Sequence, residues 1–148
     1  MGKPLKLHGN EHEEQAAVIQ WKNLNLKKYP GLKNLYAIAN GGYRNIQTAV
    51  KLKEEGVVAG VLDLFLACPR GAYAGLYIEM KVKPNKPTPE QLEFMDNVRQ
   101  EGYSAVVCYS ATEAINVITD YLRGKKWSEY QKELLEYIAQ KHHANGGI

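Results

Sequence analysis

Apolar and polar positions recur with two different periods along this chain, and the switches between them mark out its elements. Asn10 is placed to cap a helix, with Glu13 three residues on, and the helical pattern is expected to run to about Lys28, where Tyr29-Pro30-Gly31 stops it. Residues 35–39 are a short apolar run ended by Asn40-Gly41-Gly42, a strong turn signal. A second helix is expected from about Asn45 to Gly56, a residue suited to a helix C-terminus. Residues 61–68, bounded by Gly60 and Pro69, are apolar apart from Asp63 and read as a buried strand. Residues 76–82 follow a turn and read as its hairpin partner.

The later helices announce their starts. Thr88-Pro89-Glu90-Gln91 combines a Thr cap, proline at the first helical position and Gln at the capping-box position, and that helix is expected to end at Gly102. Residues 103–109 form an apolar strand. Ser110 and Glu113 make another capping box, for a helix ending near Gly124. Ser128-Glu129-Tyr130-Gln131 opens a last amphipathic helix, and residues 142–148 read as a frayed tail. The order α-β-α-β-β-α-β-α-α predicts an α/β fold, a mixed sheet flanked by helices, and the length suits one domain over residues 1–148.

Composition changes this picture little. With 45% apolar and 24% charged residues the chain is ordinary for a globular protein. The longest apolar candidate for a membrane span, residues 57–68, is too short and carries Asp63 in its middle. Met1-Gly2-Lys3-Pro4 leads into polar sequence without the apolar stretch of a signal peptide, so an intracellular, cytoplasmic location is expected. Cys68 and Cys108 stand in apolar runs with no CxxC pairing and read as small buried hydrophobes. The net charge of +3, with scattered lysines, is compatible with an anionic polymer as partner without pointing to one.

Candidate chemistry enters on the two paired strands. Side chains alternate across a strand, so Tyr77, Glu79 and Lys81 share one face while Ile78, Met80 and Val82 share the other. The Ile78 face suits a core. Two opposite charges on the other face of so apolar a strand need an explanation. If the hairpin pairs these strands, Asp63 lies beside Glu79, and two carboxylates meet one ammonium. Adjacent carboxylates raise each other's proton affinity unless a cation sits between them. Hard divalent ions such as Mg²⁺ favour such oxygen ligands, and a neighbouring lysine can orient or deprotonate a water attacking a phosphodiester. An acid-x-Lys triplet alone is weak, because about one or two arise by chance in a chain of this composition. The competing reading is a buried ion pair between Glu79 and Lys81 or Asp63.

The segments Glu11-His12-Glu13-Glu14-Gln15, Ala37-Ile38-Ala39-Asn40-Gly41-Gly42, Leu52-Lys53-Glu54-Glu55-Gly56-Val57, Gly60-Val61-Leu62-Asp63-Leu64, Gly75-Leu76-Tyr77-Ile78-Glu79-Met80-Lys81 and Lys86-Pro87-Thr88-Pro89-Glu90-Gln91 together resemble the VRR-NUC family of PD-(D/E)XK nucleases, over most of residues 10–123. The resemblance implies a restriction-endonuclease-like core at about 10–123, with residues 128–141 as a helical extension. It implies Asp63 and Glu79 as metal ligands, the Met80 carbonyl as a third, and Lys81 as the catalytic lysine. The family's N-terminal helical Glu falls on Glu11, with Glu14 on a neighbouring face as the alternative. Gln91 matches the family's Gln after the catalytic strand, although it also suits the Thr88 capping box. Leu62 departs from the family, since many relatives carry proline there. Asn40, Tyr43, Arg44, Lys83 and Lys86 are the expected nucleic-acid contacts. The implied activity is Mg²⁺- or Mn²⁺-dependent cleavage of DNA by a homodimer, with branched DNA such as a Holliday junction as substrate. The rivals are a flap, overhang or general duplex nuclease, and a catalytically silent DNA-binding module.

Overall fold

A computed structural model describes residues 10–39 and 46–144 of the chain. Helix α1, Glu11–Leu24, starts where Asn10 accepts the backbone N–H of Glu13 at 2.8 Å. It stops four residues before Lys28, because Asn25 turns its amide back onto the Trp21 carbonyl while its own N–H closes onto the Lys22 carbonyl. A 3₁₀ turn over Pro30–Asn34 then delivers strand β1, Leu35–Ala37. Helix α2 spans Ile46–Glu54, and Gly56 follows with a left-handed φ of 99°. Strands β2, Leu64–Leu66, and β3, Leu76–Met80, precede helix α3, Pro89–Gln100. Strand β4, Ser104–Cys108, and helices α4, Ala111–Leu122, and α5, Trp127–Ala144, complete the order. Helix α5 therefore runs through His142 and His143, where a frayed tail was expected.

The four strands form one mixed sheet in the order β1-β2-β3-β4, antiparallel except for the parallel pair β3-β4. The α/β class read from the sequence is the observed one. Strand alternation divides the interior into two. Leu64, Leu66, Leu76, Ile78, Met80 and Cys108 meet Val18 of α1 and Ala114 and Ile118 of α4. On the opposite face Leu62, Met95 and Ala105 pack with Tyr77, Phe94 and Val98, so α3 covers this side. Both cysteines are buried and free, and burial pushes the Cys108 thiol up to about 12. No helix among the described residues is long and apolar enough to cross a membrane.

The strand expected from residue 61 begins only at Leu64. The chain bends at Asp63, whose Oδ2 accepts the Met80 N–H at 2.9 Å in place of a backbone carbonyl. A side chain closes the ladder on the β3 side there, while the Asp63 carbonyl still accepts the Ile38 N–H at 2.8 Å on the β1 side.

Candidate active site

The register pairs Leu64 with Ile78 across the antiparallel β2-β3 hairpin, so Asp63 stands opposite Glu79 one step beyond. Glu79, next to last in β3, lies on the α3 face and is only 3% exposed; Lys81, at 8%, is the other buried charge among the described residues. Their side chains meet at 3.5 Å, Lys81 Nζ to Glu79 Oε1. The same Oε1 accepts a hydrogen bond from Gln91 Nε2 at 2.9 Å. Gln91 also turns its Oε1 to the Thr88 N–H at 2.9 Å, while its own N–H reaches Thr88 Oγ1 at 3.2 Å. The two roles open to Gln91 are thus filled together: one end of its amide completes the helix cap, the other reaches Glu79.

Glu79 Oε2 is buried with no donor group among the described residues, and the Glu79 and Asp63 carboxyls lie close enough for one to hold a proton against the other. Burial first, then the charge of Asp63, push the Glu79 carboxyl up to about 7, against a smaller pull downward from Lys81. Burial likewise raises Asp63, with the Glu11 charge adding to it and the Met80 N–H opposing it. A pair of carboxyls that resists ionisation, one oxygen of it without a donor group, suits a hard cation better than it suits a stable ion pair. Among the described residues no group of three His, Cys, Asp or Glu side chains is gathered for a metal. The donor set that fits is therefore two carboxylates supplemented by backbone oxygen and water, as Mg²⁺ accepts.

Glu11 lines the same cavity as Asp63, Glu79, Lys81 and Gln91, a space of about 810 Å³. Asn85 Nδ2 approaches Glu11 Oε1 at 3.4 Å, a contact the sequence did not reveal. The alternative, Glu14, is engaged elsewhere: its Oε2 accepts the Ala111 N–H at 2.7 Å and so caps α4. Both acids lie in a first helical turn, and only the packing of α1 against α4 separates them. Lys83 and Lys86 are exposed on the loop that also holds Asn85. Asn40, Tyr43 and Arg44 lie outside the described residues. The far wall of the cavity is aliphatic, with Leu52, Val57, Val58 and Val61, and Lys53 stands at its edge. Glycine and valine spacing gave no sign of that wall.

A mixed sheet flanked by helices thus carries an acid beside the start of one strand and acid-x-Lys on its neighbour, an arrangement that suits a nuclease-type α/β domain. The VRR-NUC domain family model matches residues 5–112, and the chain belongs to that family. It is also similar to a solved structure described as a VRR_NUC domain protein, at 33% identity and a TM-score of 0.69, with 81% of this chain and 94% of that one covered. No curated protein matches.

Proposed function

We propose that this domain is a Mg²⁺- or Mn²⁺-dependent endonuclease acting on DNA. The observation that carries the reading is the buried Asp63–Glu79–Lys81 cluster, with a carboxylate oxygen at its centre that has no donor group among the described residues. Asp63 and Glu79 would hold the ion together with the Met80 carbonyl and water, and Glu11, which lines the same cavity, would act on it through its charge. When bound, the ion supplies Lewis-acid polarisation of the phosphodiester and stabilises charge on the displaced oxygen. Lys81 orients the attacking water, and Gln91 keeps Glu79 turned into the site. Lys83 and Lys86, with Asn40, Tyr43 and Arg44, contact the phosphate backbone and the adjoining nucleotides. Branched DNA such as a four-way junction is the substrate, cut by a homodimer, because a twofold axis places two sites symmetrically across a junction.

The experiment is a cleavage panel of labelled junction, flap, nicked, linear and single-stranded DNA. Cleavage should need Mg²⁺ or Mn²⁺, stop in EDTA, and be faster on the junction than on its linear arms. Full activity in EDTA sinks the metal assignment. Equal rates on junction and linear arms leave a general duplex nuclease.

A further inference from the structure

Helix α5 is the element whose described side chains the fold does not bury. Every described side chain along it is exposed, including Leu134 at 45%, Leu135 at 66%, Tyr137 at 56% and Ile138 at 45%. It lies wholly beyond residues 5–112, the part matched by the family. Helices of about this length are marginal in water without a packed face, so 18 helical residues bearing four large exposed apolar side chains call for a partner. Leu134 and Ile138, four apart, form the centre of one stripe, flanked by Leu135 on one side and Tyr137 on the other.

Charge states what that partner is. Glu133, Tyr137 and Lys141 follow one another at four-residue spacing along a single flank of the stripe, and Lys141 sits 5.6 Å over the Tyr137 ring. The flank is therefore acidic at one end, aromatic in the middle and basic at the other. An antiparallel copy of the same helix lays that flank against itself in reverse order. Glu133 of each chain then faces Lys141 of the other, twice over, with Leu134 and Ile138 packed between them. In a parallel pair each flank faces the opposite flank of its partner, so Glu133 and Lys141 do not meet across the seam. Glu133 is already within reach of a lysine, meeting the exposed Lys125 at 2.6 Å, and is free of the core.

We propose that α5 is the self-association element of this protein, pairing antiparallel with α5 of a second copy. The inference rests on the homodimer reading above and says where the twofold axis runs. Two nuclease-type domains are then tethered through a helix pair at their C-terminal ends, outside the family fold.

Sedimentation equilibrium of the full chain over a dilution series tests this. The wild-type chain should reach twice its 16.7 kDa mass. The variant carrying Leu134→Glu and Ile138→Glu should stay at single-chain mass, with the thermal melt of the core unchanged. Glu133→Lys and Lys141→Glu should each raise the dimer dissociation constant by about 5-fold or more, and the two together should restore it, since the pairs are re-formed with signs exchanged. A wild-type chain that is monomeric at every concentration overturns both this inference and the homodimer. A dimer that survives Leu134→Glu with Ile138→Glu overturns the inference alone and leaves the homodimer standing. Failure of the charge exchange to restore association rules out the antiparallel register. Metal-dependent cleavage is judged separately by the DNA panel.

Discussion

At Glu79 the two carboxylate oxygens occupy different surroundings. Oε1 is met by Lys81 and Gln91, while Oε2 has no donor group among the described residues. A plain ion pair has no use for the second oxygen, and the two readings of these residues part on that point. If the cluster holds a metal for cleavage, Asp63→Asn and Glu79→Gln each remove a negative ligand, and metal binding and cleavage should fall together. Lys81→Met removes a nearby positive charge, so metal affinity should hold or rise while the rate drops by about 10²–10⁴-fold. If the cluster is only an ion pair, each change strands a buried partner at a cost of about 3–5 kcal/mol, with no activity to lose. Metal titration by calorimetry, thermal melts and cleavage rates on the same three variants separate the cases. Wild-type cleavage by Lys81→Met excludes Lys81 from the chemistry.

Between elements, the closest approach near the site is made by Gly60. Its φ is 90°, and a Cβ there would lie 2.4 Å from the Glu90 carbonyl oxygen and 2.9 Å from the Gln91 nitrogen. The loop entering β2 thus rests directly on the first turn of α3, the turn whose Gln91 reaches Glu79. Backbone on both sides leaves nothing flexible to move. Gly60→Ala should therefore destabilise the protein by about 2–4 kcal/mol, combining the left-handed penalty with overpacking. It should also slow cleavage, because α3 must shift and take Gln91 with it. Gly56 is the internal control, with a similar φ of 99° and open space around its would-be Cβ. Gly56→Ala should cost only about 1 kcal/mol, the conformational penalty alone. Urea denaturation of the two variants measures the difference, and equal losses would show that the contact at Gly60 is immaterial.

For the molecule as a whole, the buried acids tie stability to pH. The Glu79 carboxyl rises from an ordinary 4.5 to about 7, and Asp63 moves in the same direction. The folded, metal-free protein therefore holds protons more tightly than the unfolded chain. The stabilisation from Glu79 is complete below about pH 4.5 and is lost as pH rises through about 7. Its size is of the order of 3 kcal/mol. Melting temperature without metal should fall between pH 5 and 8, Glu79→Gln should flatten that fall, and Mg²⁺ or Mn²⁺ should reverse it by taking the place of the proton. Metal affinity should accordingly strengthen across the same range, with protons released on binding. A metal-free melt that is flat over this interval would contradict the buried-acid account of the site.

Period and punctuation in the sequence determined the order of elements, the strand pairing that sets Asp63 opposite Glu79, and the starts of α1, α3 and α4. These are local properties, because caps and alternation depend on neighbours within a few residues. The sequence alone did not end α1 at Leu24 or open β2 as late as Leu64, since both limits are set by side chains that bond back to the main chain. Glu11 and Glu14 both suit the first turn of a helix, and only the resemblance favoured Glu11; their different surroundings, Glu14 on the N-terminus of α4 and Glu11 on the cavity, come from tertiary packing. Gln91 was legible as a cap and as a site residue, but its contact with Glu79 was not, because that partner lies on a strand distant from the helix cap. The burial that drives Glu79 towards its protonated form was beyond the sequence for the same reason: it comes from packing between segments distant along the chain, where Gln91 of α3 reaches Glu79 of β3.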